Sequence, residues 1–71
     1  MDRAAVLTRL VAAVKAGARP SFRLSSMRAT MTVTSARPDG TLRLASRGME
    51  MTYDFSRLTD EDVKALADAL D

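Results

Sequence analysis

Two spacings of apolar residues divide this chain of 71 residues. Near the start, Val6, Leu7, Leu10, Val11 and Val14, with the small Ala13, fall on one face at helical spacing. Arg3, Arg9, Ala12 and Lys15 lie away from the centre of that face. Asp2 is placed to cap a first turn, Gly17 to end the helix after Ala16, and Pro20 to bar its continuation. From Ser21 the period shortens to two. Phe22 and Leu24 alternate with Arg23 and Ser25, and Met31 and Val33 with Thr30, Thr32 and Thr34. Leu42 and Leu44 alternate with Arg43, and Met49, Met51, Tyr53 and Phe55 with Glu50, Thr52 and Asp54. Alternation of this kind predicts strands with one face buried and one wet.

The buried parity changes from even to odd between Leu24 and Met27, so a turn is expected around Ser25 to Arg28, with a single long bulged strand as the alternative. Arg37-Pro38-Asp39-Gly40 reads as a hairpin connection. Proline suits the first central position of a type I turn, and glycine suits the left-handed residue that follows it. Strands ending near Ala36 and starting near Thr41 should therefore pair antiparallel. A second tight turn is expected at Ser46-Arg47-Gly48. Thr59 begins the closing helix as its N-cap, Asp62 completes a capping box, and Leu58 can staple to Val63. Asp60, Glu61 and Asp62 suit the positive end of the helix dipole, and Val63, Leu66, Ala67 and Leu70 form the apolar stripe. The fold expected over residues 1–71 is one α+β domain. It has an N-terminal helix, a three- or four-stranded antiparallel sheet and a C-terminal helix, both helices on one sheet face.

Composition removes most catalytic chemistry. The chain has neither histidine nor cysteine, so nucleophile–imidazole pairs, disulfides and thiolate or imidazole zinc sites are excluded. A serine–lysine pair would have to draw Lys15 or Lys64 to Ser21, Ser25, Ser26 or Ser46, and nothing in the sequence brings them together. Glu50 and Asp54 share a strand face but stand ~13 Å apart along it, so they read as solvated or as cross-strand partners of Arg43 and Arg47. Asp60-Glu61-Asp62 lacks the ligand spacing of a calcium loop, and the glycines belong to no phosphate-binding motif. No catalytic residue, cofactor or metal is expected. The longest apolar run, Leu10 to Val14, is far below the ~20 residues of a membrane span. Residues 1–19 are arginine-bearing and poor in acids, as organellar presequences are, but a structural helix is the reading preferred. Absence of cysteine fits a reducing compartment, and a cytoplasmic location is expected.

Charge is split along the chain. Residues 1–48 carry nine basic residues against two acids, a net +7, whereas residues 49–71 carry two against seven, a net −5. Binding is thus the natural use, and the wet sheet face is its candidate surface: Arg23, Arg28, Thr30, Thr32, Arg43 and Arg47, with Thr34 and Thr52 beside them. Guanidinium groups and hydroxyls suit acidic ligands. The expectation is a non-catalytic protein-interaction module, an adaptor, inhibitor or assembly component, docking on a partner with an acidic surface. The alternative is a sequence-tolerant nucleic-acid binder using the same arginines on phosphates, although no aromatic residue is expected among those exposed positions. Chains this small are marginally stable alone, which favours a homodimer or other homo-oligomer, and the acidic tail of one copy could meet the basic body of the next. Met27, Met31, Met49 and Met51 are expected on the inward face, as core filling or, where the helices leave the sheet bare, as a contact surface. Arginine in excess of lysine and abundant alanine fit a bacterial gene of high GC content. The element order resembles that of small phage head–tail joining proteins, on order alone and with no shared motif.

Overall fold

The computed structural model describes residues 2–71. Helix α1 spans Arg3–Lys15; strands β1 (Ser21–Leu24), β2 (Ala29–Ala36), β3 (Thr41–Ser46) and β4 (Met49–Asp54) follow. A 3₁₀ turn over Phe55–Arg57 then leads into helix α2 (Asp60–Leu70). The strands form one open antiparallel meander in the order β1-β2-β3-β4. This is the expected α+β architecture, with four strands. The parity change after Leu24 is the expected turn, a four-residue loop over Ser25–Arg28.

Local sequence explains each boundary. Asp2 accepts a hydrogen bond from Ala5 N, closing the start of α1. Its end is a Schellman arrangement around Gly17, at φ +103°, with Ala18 N donating to Ala13 O and Gly17 N to Val14 O. In the Arg37–Gly40 turn, Gly40 N donates to Arg37 O at 2.9 Å, and the Asp39 carboxylate accepts from Thr41 N at 2.9 Å. Gly40 is buried against the end of β4, where its carbonyl accepts from Phe55 N at 2.8 Å. With φ +100° and Phe55 Cβ 3.7 Å from where a Cβ would stand, the position suits glycine. One feature of β2 escapes sequence alternation: the register with β3 shifts between Val33 and Ser35, so Thr34 is a bulge residue whose hydroxyl donates to Arg43 O.

The pleat sorts side chains as the alternation requires. Phe22, Leu24, Met31, Val33, Leu42 and Leu44 are buried on one face, together with Val6, Leu10 and Val14 of α1, Val63 and Leu66 of α2, and Phe55 and Leu58 before it. Both helices cover this face, packing chiefly on β1 and β2 and against each other. The methionines divide. Met31 is buried and Met51 half-buried, but Met27 lies in the first turn and Met49 on the outer strand, both exposed. The helices stop short of β4, so core filling holds for Met31 and fails for Met27 and Met49.

Charge is also distributed by the fold. Arg3 is not on the open side of α1 as its spacing suggests. It pairs with Asp60 at 2.9 Å, donates to Leu58 O and lies over the Phe55 ring at 5.7 Å. Arg9 pairs with Asp71 at 2.6 Å. The basic body and acidic tail therefore meet within one chain, along the α1–α2 seam. These exposed pairs contribute under about 1 kcal/mol each and chiefly set how the helices lie.

Asp62 has a larger role. It is 1% exposed, the one buried charged residue among those described. Its carboxylate accepts from Thr59 N, while Thr59 Oγ1 accepts from Asp62 N, completing the capping box; its other oxygen accepts from Ser25 N at 2.8 Å. One carboxylate thus ties the start of α2 to the β1–β2 turn. Burial acts to raise its pKa, but the hydrogen bonds from Ser25 and Thr59 outweigh that and hold the carboxyl below the usual range. A carboxyl lowered in the folded state stabilises fully above its unfolded pKa, about pH 4, and the contribution fades as pH falls through the folded value. Asp62→Ala is expected to cost about 1–3 kcal/mol at neutral pH, by chemical denaturation, because two backbone donors lose their acceptor. The stability gap between wild type and variant should close on acidification below about pH 4. A gap independent of pH would contradict the carboxylate's role.

Candidate functional site

The outer sheet face is built by the residues that alternate with the core. Arg23 stands opposite Thr30, Ser21 opposite Thr32, Thr32 opposite Ala45, and Arg43 opposite Thr52. Arg23 and Arg43 accordingly lie on the same side, away from the helices. Ser21 Oγ and Thr32 Oγ1 lie 2.9 Å apart, a cross-strand hydroxyl pair that stiffens the middle of the face.

Two further arginines reach this face from turns. Both connections at this end of the sheet, Ser25–Arg28 and Arg47-Gly48, require left-handed backbone near their last residues. Arg28 and Arg47 each have φ +49°. They are the non-glycine residues of positive φ among those described. Arg47-Gly48 is a two-residue hairpin loop with both φ positive, the type I′ form in which asparagine or glycine ordinarily fills the first position. Arginine there costs about 1 kcal/mol relative to residues that tolerate the conformation. Backbone strain is thus placed twice on the same residue type, at one end of one face.

The result is a solvent-open concavity of about 560 Å³ lined by Arg23, Arg28, Ala29, Thr30, Thr32, Ser46 and Arg47. Five of the six residues expected from sequence to form the binding surface meet here. Arg43 does not. It sits further along β3, and its guanidinium lies 3.4 Å from Glu50 on β4, diagonally across the strand pair. Arg23, Arg28 and Arg47, all exposed, have no carboxylate within ion-pairing distance among the described residues. Their charge is not neutralised inside the fold.

The acids lie elsewhere. Glu50 faces Ala45, and Asp54 faces Thr41 at the far end of β4. Asp54 also accepts from Ser56 N and Oγ, each at 2.9 Å, and these bonds, led by the Ser56 backbone amide, lower its pKa. It is thus an N-cap at the opposite end of the strand from Arg47, and not the cross-strand partner of that arginine that the sequence suggests. Among the described residues no group of three carboxylates gathers that could hold a cation. None of the helices described is long and apolar enough to cross a membrane. No family model, curated protein or solved structure matches the chain.

Sequence spacing found the arginines of the strands, but Arg28 and Arg47 come to the site by turn geometry. Their signal in sequence was position: each stands in a turn where asparagine or glycine is the ordinary choice. Replacing either by glycine removes the left-handed strain. Arg28→Gly and Arg47→Gly are each expected to leave the melting temperature unchanged or to stabilise by up to about 1 kcal/mol. A loss above about 1 kcal/mol in thermal unfolding would show that these side chains hold the fold instead of serving the surface.

Proposed function

We propose that the chain is a non-catalytic interaction module that captures an acidic segment or surface of a protein partner in the Arg23–Arg28–Arg47 concavity. The observation that carries this reading is the pair of left-handed arginines. A turn selected for stability alone would use glycine or asparagine, whereas here strain is tolerated at both positions that put a guanidinium at the concavity rim. Strain concentrated where unpaired charge converges is a mark of a binding site. The mechanism is electrostatic. Three exposed guanidinium groups steer a carboxylate-bearing partner in and offer forked donors, and the hydroxyls of Thr30 and Thr32 take up the remaining acceptors.

The same geometry supports protein in preference to nucleic acid. A polynucleotide needs a continuous basic track, and Glu50 and Asp54, both on β4, interrupt the face beyond the concavity. Tyr53, the least buried of the three aromatics, points to the inward face with Arg57 above its ring at 5.8 Å, and offers no stacking platform outside. With no imidazole or thiol in the chain, the concavity has acceptors and cations but no general base near neutral pH. The cysteine-free composition suits work in the reducing cytoplasm.

A titration followed by NMR separates the readings. A peptide of consecutive glutamates should shift the amides of Arg23, Arg28, Thr30 and Arg47, and Arg28→Glu with Arg47→Glu should weaken it at least about tenfold. A single-stranded oligonucleotide of equal charge should bind no more tightly. Oligonucleotide binding that falls with salt at a slope of about −0.7 per neutralised phosphate would favour the nucleic-acid reading instead. Shifts centred on α1, or none, would remove the site altogether.

A further inference from the structure

The two edges of the sheet are not alike. β1 has four residues, begins after Pro20, and is flanked by α2, whose Asp62 accepts from the amide of Ser25, the residue that follows the strand. β4 has six residues, pairs with β3 without a register shift, and is the last strand of the sheet. It contains no proline and no lysine, the usual means of blunting an edge.

The phase of its backbone follows from the turn that starts it. In a two-residue hairpin the closing pair, here Ser46 and Met49, exchanges both hydrogen bonds, and bonded pairs recur at every second residue. Met49, Met51 and Tyr53 therefore direct their amides to β3. Phe55 N continues that phase by donating to Gly40 O. Glu50, Thr52 and Asp54 direct theirs outward, to the open edge.

We infer that the β4 edge pairs with β4 of a second copy, antiparallel about a two-fold axis through Met51, to make a continuous eight-stranded sheet. A two-fold axis normal to the sheet keeps inward residues opposite inward residues, so the registers with fullest overlap are centred on Met51 or on Thr52. Centring on Thr52 sets Glu50 of each copy directly opposite Asp54 of the other, two like-charge pairs side by side. Centring on Met51 avoids both. Glu50 then faces Thr52 of the second copy, with their outward amides and carbonyls in phase to bond, and Asp54 faces Gly48 next to the positive Arg47.

On the inward side that register puts Met51 against Met51 and Met49 against Tyr53. Met49 is 69% exposed and Met51 and Tyr53 are half-buried in the single chain, so the pairing covers apolar surface that the helices leave bare. Met51 and Met49 also line a small apolar hollow of about 150 Å³ with Met27 and Met31, whose unbranched side chains can repack around a neighbour. Because the axis is normal to the sheet, both outer faces look the same way. The pair would present two Arg-lined concavities on one face, at opposite ends of the strands, a bivalent surface that does not depend on which acidic ligand fills them.

The absence of native cysteine makes the register directly readable. Met51→Cys places two thiols opposite one another at the axis, within disulfide reach, whereas Thr52→Cys places them on the other face and out of register. Under mild oxidation at about 100 µM protein, a concentration suited to the micromolar affinity of a small interface, Met51→Cys should form covalent dimer at least about tenfold faster than Thr52→Cys. Sedimentation of the wild type at that concentration should give a dimer. Thr52→Pro, which removes an outward donor and spares the β3–β4 ladder, should give a monomer of unchanged circular dichroism. A monomeric wild type, a Thr52→Pro protein that is folded and still dimeric, or faster cross-linking of Thr52→Cys would overturn the inference. Should Thr52→Pro fail to fold, the ratio of the two cross-linking rates decides alone.

Discussion

Everything in this molecule depends on the sheet having two chemically different sides. A chain of 71 residues, with no cysteine for a disulfide and neither cysteine nor histidine for a structural zinc, can be held only by packing, and the packing available is one apolar layer. Leu24, Val33, Leu42 and Leu44 have no exposed surface at all, and they meet Leu10, Val63 and Leu66 of the two helices in one cluster. Truncating any of these leucines to alanine would forfeit about 2–5 kcal/mol, a large part of the stability a domain this size can hold. The period of two that buries these residues also forces Arg23, Thr30, Thr32 and Arg43 to the opposite side. The candidate binding face is thus the necessary complement of the core.

Charge follows the same division. The acidic α2 lies behind the sheet, where Asp60 and Asp71 engage Arg3 and Arg9 of α1, and Asp62 is spent on backbone donors. That arrangement leaves the acids of α2 unable to neutralise the arginines in front. A polymer whose halves carry opposite charge could have folded into a self-cancelling object. Instead the sheet separates part of the positive charge from most of the negative, and the turn arginines concentrate it at one end.

Most of the fold was legible in the sequence because its signals are local and agree with one another. The change of period at Ser21, the Pro38-Asp39-Gly40 turn and the Thr59–Asp62 capping box each act within a few residues. What was not legible is what depends on distance through space. The bond from Ser25 to Asp62 joins segments 37 residues apart, and no local pattern reports it. The bulge at Thr34 arises from matching β2 to β3, not from β2 alone. The exposure of Met27 and Met49 depends on how far the helices reach across the sheet, a matter of tertiary layout that alternation cannot supply. Strand parity put Arg23, Thr30 and Thr32 on the outer face, where they stand. The separation of Arg43 from the concavity followed only from cross-strand register.

The sidedness of the sheet is tested most directly by methyl nuclear Overhauser contacts in the wild-type protein. The pair Thr32–Ala45 on the outer face and the pair Val33–Leu44 on the inner face are neighbours along the same two strands. The account predicts cross-strand contacts within both pairs, with methyls of Leu10 and Leu66 contacting only the Val33–Leu44 side. Contacts from either helix to Thr32 or Ala45, or the absence of any to Leu44, would contradict it.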